Sequence, residues 1–120
     1  DLWPMWTELN KVQQIDLFRY AVIYKLGGIF SDIDVVPFKS ITSWGLNKDT
    51  RAVLGYARRR QKLRRVRLFE ARTFGAEAGH PILKRCLELV HMRMDWGIKA
   101  TEDLTGSAIF SDAVHEFLLE

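Results

Sequence analysis

Asp32 and Asp34 are carboxylates separated by one residue, near the end of the run DLFRYAVIYKLGGIFSDIDVVP from Asp16 to Pro37. On extended backbone, side chains alternate, so both carboxylates face one cleft while Ile33 points to the other face and packs. Two clustered carboxylates repel and ask for a cation. Hard divalent ions such as Mg²⁺ or Mn²⁺ take oxygen ligands, commonly one or two carboxylates together with the phosphates of a substrate. A lone Asp-x-Asp is more often a solvated turn. What raises this one above that reading is the order of elements around it.

Those elements must place the two carboxylates. Val12, Ile15, Phe18, Val22 and Leu26 recur every three or four residues, which predicts a helix with that stripe as its buried face. Asn10 suits its N-cap. Gly27 or Gly28 supplies the left-handed residue that ends it. Ile29 and Phe30 then form a short buried strand that delivers Ser31, Asp32, Ile33 and Asp34 to the sheet edge. Within the helix Asp16 and Arg19 share a face at i, i+3 and can pair.

The rest of the chain reads as support. Leu2, Trp3, Pro4, Met5 and Trp6 form an aromatic-rich lead-in that packs on the main helix. Pro37 bars a central ladder position, and Trp44 anchors the return of the loop Ser40 to Lys48. Ala52 to Tyr56 and Leu68 to Phe74 are two strands of a long hairpin whose tip carries the basic run. Pro81 opens a helix reaching about Met94, with His80 as a capping or packing residue. Thr105 and Gly106 open a last helix with Ile109, Phe110, Ala113, Val114, Phe117 and Leu118 toward the core. Asp112 and His115 are three apart on it, an ordinary exposed pair that could also approach a metal.

Composition narrows the function classes. At 120 residues with 48% hydrophobic content, the chain suffices for one domain, residues 1–120, with a single core. The lone cysteine, Cys86, excludes an internal disulfide and reads as a small buried hydrophobe. No apolar run approaches the roughly 20 residues of a membrane span, and no signal-peptide pattern follows Asp1, so the chain as it stands reads as a soluble piece. Arg58 to Arg67 holds seven of the 18 basic residues; the remaining 11 face 15 acidic ones, a net −4, so the basicity is local. That run has no interleaved aromatics and matches no groove-reading or base-stacking module, so it reads as a solvated loop tip and no nucleic acid is expected.

Asp16-x-x-Arg19-Tyr20, then Gly27-Gly28, then Asp32-x-Asp34 resembles the DXD sugar-binding region of glycosyltransferase family 32. That family includes the fungal initiation-specific α-1,6-mannosyltransferases, and the glucosylating clostridial toxins have a similar arrangement. Ala78 to Leu83 (AGHPIL) and Leu104 to Val114 (LTGSAIFSDAV) resemble, in the right order, two further segments of the mannosyltransferase branch. Ser107 stands where that branch has Pro.

The resemblance implies a partial GT-A fold, an α/β sandwich for nucleotide-diphospho-sugar transferases, of which this chain would be the C-terminal portion of the catalytic domain. The N-terminal strands that hold base and ribose would be missing, and the isolated chain is therefore expected to be inactive. It implies Asp34 as direct ligand of Mn²⁺ or Mg²⁺, Asp32 as partner of ribose, sugar or a water on the metal, and Asp16, Arg19, Gly27 and Gly28 on the donor-sugar side. Thr105, Gly106, Asp112 and His115 are further candidates. The implied reaction moves a hexose, mannose from GDP-mannose with retention, to a glycan acceptor. A UDP-hexose donor, or a non-catalytic remnant acting as a binding module, are the alternatives. The implied full-length protein is a type II membrane protein of the Golgi lumen.

Overall fold

The computed structural model describes residues 3–56 and 69–119. The basic run Arg58 to Arg67, and with it the predicted hairpin tip, lies outside the described residues.

After a five-residue helix α1 (Trp3–Thr7), Asn10 adopts extended backbone and starts helix α2 (Lys11–Leu26). Its side-chain oxygen accepts the Gln13 N–H at 2.9 Å, and the Gln13 side chain accepts the Asn10 N–H at 3.1 Å. This reciprocal box satisfies two of the orphan donors of a helix start. The Trp6 carbonyl accepts from the Gln14 amide at 2.9 Å, so the lead-in is tied to α2, with Met5 and Leu9 buried below it.

Gly27 ends α2 at φ +72°, its N–H donating to the Ile23 carbonyl at 2.8 Å. A Cβ there would lie 2.8 Å from the Ala78 backbone nitrogen. Gly27→Ala therefore combines an unfavourable φ with a backbone clash, and is expected to cost about 2–4 kcal/mol. Thermal unfolding checks this; an unchanged melting temperature would contradict the account of this junction.

Strand β1 (Gly28–Ser31) follows at once and pairs antiparallel with β3 (Thr73–Ala76), which pairs on its other side with β2 (Ala52–Val53). The register sets Gly28 opposite Ala76 and Ser31 opposite Thr73. Among the described residues an isolated bridge, Tyr56 to Phe69, continues the β2–β3 pairing. Helices α3 (Pro81–Asp95), α4 (Thr101–Leu104) and α5 (Ser107–Leu119) complete the order. The core lies between α2, α3, α5 and one face of the sheet, around the rings of Tyr20, Phe74 and Phe110, whose centroids are 5.0 to 6.2 Å apart. Cys86 is fully buried among them, and burial pushes its thiol up, which leaves it inert.

Four expectations are corrected. The α2 stripe Val12, Ile15, Phe18 and Leu26 is exposed, and the buried face is Gln13, Asp16, Leu17, Arg19, Tyr20 and Ile23. Strand β1 is an edge strand of the described sheet, open to solvent except at half-buried Phe30, rather than a buried crossing. The two later strands are shorter than predicted. On α5, Leu118 faces solvent and Phe117 is only partly covered.

His80 caps α3: its Nδ1 accepts the Ile82 N–H at 3.2 Å, and its ring rests 5.2 Å from that of Phe117. Burial holds this imidazole below its ordinary value. Protonation removes the acceptor, so the cap's contribution is fully present above the unfolded value of about 6.5 and is lost as pH falls through the lower folded value. Melting temperatures taken from neutral pH down to about 5 are expected to fall more steeply in the native protein than in His80→Asn, which keeps a capping oxygen. Parallel curves would remove His80 as the cause.

Candidate functional site

The D-x-D carboxylates sit just past the end of β1, in a turn and not in the strand. The Asp32 N–H donates to the Arg72 carbonyl at 2.8 Å, extending the β1–β3 pairing by one bond, and the Val35 N–H donates back to the Asp32 carbonyl at 3.1 Å. Ile33 and Asp34 are therefore the central residues of the turn, and Ile33 projects wholly into solvent instead of packing. Strand alternation does not bring the carboxylates together. An arginine does.

Arg72 precedes β3 and reaches both acids. Its terminal nitrogen lies 2.8 Å from Asp34 Oδ2, and its Nε lies 3.6 Å from Asp32 Oδ2. Its own N–H donates to Glu70 Oε1 at 3.1 Å. Hydrogen bonding from this guanidinium holds the Asp34 carboxyl below the usual carboxylate range, and Asp34 in turn raises the Arg72 guanidinium. Sequence reasoning missed Arg72. Nothing in its own neighbourhood marks it, and only the register that sets Ser31 opposite Thr73 carries it to Asp32.

Behind Asp32 stands a second, buried guanidinium. Arg19 donates to the Ala71 carbonyl at 2.9 Å and to Asp32 Oδ1 at 3.1 Å, lies 3.4 Å from Asp16, and rests 4.8 Å above the Phe30 ring. Its Nε is buried without a hydrogen-bond partner among the described residues. Asp16 accepts from the Thr105 hydroxyl at 2.9 Å, and the Thr105 carbonyl accepts from the Tyr20 hydroxyl at 2.7 Å. Burial raises the Asp16 carboxyl, against the lowering by Thr105 and Arg19. Asp16 and Arg19, which spacing alone placed on one helix face, thus belong to an interior chain, Thr105–Asp16–Arg19–Asp32, which fixes one D-x-D acid from behind.

The remaining candidates divide. Gly27 and Gly28 sit at the α2–β1 junction, both at positive φ, and Gly106 precedes α5 with its carbonyl 3.3 Å from the Tyr20 hydroxyl. Asp112 is committed to Arg93 on α3, and the His115 ring packs on Phe69. Among the described residues no group of three His, Cys, Asp or Glu side chains converges as a metal cage. Asp34, largely exposed and ionised, is still a hard oxygen ligand. Beside this corner a groove of about 390 Å³ opens over the outer face of the sheet, walled by Ile29, Val35, Trp44, Val53, Tyr56 and Arg72.

Residues 5–51 match the family model described as "Glycosyltransferase sugar-binding region containing DXD motif". The chain is 32% identical over 136 residues to an initiation-specific alpha-1,6-mannosyltransferase of Schizosaccharomyces pombe, covering 89% of this chain and 32% of that protein. It is 25% identical over 144 residues to the Candida albicans protein of the same name, covering 91% of this chain and 36% of that protein. The chain therefore spans about a third of the length of the curated relatives it matches. Its fold is similar to that of the solved PaToxG glycosyltransferase, with a TM-score of 0.74 at 23% identity over 90% of this chain and 36% of that one. The family resemblance and the α/β class read from the sequence both stand.

Proposed function

We propose, for a chain that resembles the DXD-containing sugar-binding region of glycosyltransferases over residues 5–51, that it is the donor-diphosphate corner of a hexosyltransferase. In this reading residues 1–120 are one domain, the C-terminal portion of a GT-A catalytic domain. The reaction moves mannose from GDP-mannose, with retention, to a glycan acceptor; a UDP-hexose is the second donor to test. The observation that carries it is the pair Asp32 and Asp34, one fixed from the interior by Arg19 and the other left open to solvent at 2.8 Å from Arg72.

The residues present fit a divalent ion, since Asp34 offers hard oxygens at an accessible turn and such ions complete their shell with phosphate and water. Asp34, with Asp32, would hold Mn²⁺ or Mg²⁺, which when bound supplies Lewis-acid stabilisation of the departing nucleoside diphosphate. Asp32 is kept in one orientation by two guanidiniums and its own backbone bond, which suits a carboxylate that must meet a ribose or sugar hydroxyl. Arg19 and Asp16 serve the donor sugar by fixing Asp32, being themselves buried. Gly27 and Gly28 let β1 leave α2 sharply enough to present that end. Thr105 and Gly106 anchor the chain from the turn between α4 and α5, whereas Asp112 pairs with Arg93 and the His115 ring packs on Phe69.

By the same reading the whole protein works in the Golgi lumen behind a type II anchor. No described helix is long and apolar enough to cross a membrane. The full-length protein should be assayed with radiolabelled GDP-mannose or UDP-glucose, Mn²⁺ and an α-mannoside. Metal-dependent transfer from one donor is the expected result. Absence of transfer and of hydrolysis with both, by a folded protein, would favour the non-catalytic remnant.

A further inference from the structure

We infer that Arg72 is the resident counter-cation of the D-x-D pair: it bridges Asp32 and Asp34 while no divalent ion is bound, and is handed to the donor's phosphate when one arrives. The inference rests on the metal reading above and deepens it. Three observations carry it. Arg72 contacts both carboxylates, at 3.6 and 2.8 Å, so it spans the gap that the acids would otherwise close around a cation. Of the two guanidiniums on Asp32 among the described residues it is the more exposed, with about half its side chain in solvent. Arg19, by contrast, is locked into the interior by the Ala71 carbonyl and Asp16, so it is not the one that moves.

Charge then sets the sequence of events. Asp32, Asp34 and Glu70 surround one Arg72, and without it the two D-x-D acids would repel across the turn. A divalent ion alone must displace the guanidinium from Asp34, so it binds weakly. A diphosphate arriving with the ion brings negative charge for the displaced guanidinium, whose planar fork matches phosphate oxygens. Arg72 therefore opposes the metal alone and favours the metal with a diphosphate. That opposite pair of effects is the signature to measure.

Mn²⁺ binding is followed by electron paramagnetic resonance on the full chain, with and without inorganic pyrophosphate, for the native protein, Arg72→Gln, Arg72→Lys, Asp34→Asn and the Arg72→Gln/Asp34→Asn double variant. Circular dichroism confirms that each is folded. Removing one positive charge a few ångströms from the ion is expected to tighten Mn²⁺ alone roughly three- to tenfold in Arg72→Gln. The same variant is expected to weaken Mn²⁺–pyrophosphate by a similar factor, with Arg72→Lys closer to native. The double variant should lose the gain. Unchanged or weaker Mn²⁺ affinity in Arg72→Gln, while Asp34→Asn still impairs the native site, overturns the counter-cation role and leaves the metal reading intact. No Mn²⁺ binding in any of these proteins overturns both.

Discussion

Asp34→Asn is expected to lower sugar transfer by the full-length protein at least about a hundredfold and to leave its melting temperature almost unchanged. The rate loss follows from removing the carboxylate that faces solvent at the D-x-D turn, because stabilisation of charge on a leaving diphosphate is worth two to three orders of magnitude per lost group. The unchanged stability follows from exposure. Among the described residues Asp34 makes one ion pair, to Arg72, at a surface turn where such pairs contribute little. A variant that transfers sugar normally, or that remains active in excess EDTA, would remove Asp34 and the divalent ion from the mechanism together.

Arg19→Met should do the opposite, damaging the fold first. The guanidinium is buried and is shared by Asp16, Asp32 and the Ala71 carbonyl, so its loss leaves an interior carboxylate without its counter-charge. Breaking a buried pair from one side costs about 3–5 kcal/mol, a large part of the stability of a domain this size. Asp16→Asn in the same chain is expected to recover part of the loss, since burial already disfavours the ionised form of Asp16. Thermal unfolding of the single and double variants checks this. A melting temperature within a few degrees of native in Arg19→Met would mean that the interior chain is not what fixes Asp32.

The sequence made the elements legible and mistook a face. Asn10, Gly27, His80 and Pro81 marked helix ends through local capping chemistry, which needs no knowledge of the rest of the chain. Helix α2 was harder, because it is apolar on two sides. Val12, Ile15, Phe18 and Leu26 form as good a stripe as Leu17, Tyr20 and Ile23, and periodicity alone does not choose between them. The choice is made by tertiary partners. Asp16, Arg19 and Gln13 can go inside because Thr105, Ala71 and Lys99 meet their polar atoms there, and all three partners are distant in sequence.

The site shows the same division. Two carboxylates in one corner could be read from spacing, but the geometry assigned to them was that of a strand. A turn closed by the Val35 N–H exposes Ile33 and leaves Arg72 to gather the acids. That arginine is visible only once β1 and β3 are paired. Asp112 and His115 show the same limit: three residues apart on a helix is compatible with an exposed pair or with approach to a metal, and only tertiary neighbours supply the ion pair of Asp112 with Arg93 and the contact of the His115 ring with Phe69.

The proposed function requires that a divalent ion and a nucleoside diphosphate bind at the Asp32–Asp34 turn, with Arg72 across from it. The most direct measurement is paramagnetic line broadening in the amide spectrum of the full chain, titrated with Mn²⁺ in the presence of GDP or UDP. Broadening that begins at Ile33, Asp34 and Arg72, spreads with added Mn²⁺ toward Asp32 and Val35, and is abolished in Asp34→Asn is the predicted result. Broadening centred on Asp112 and His115, or at the turn but unaffected by Asp34→Asn, would contradict it.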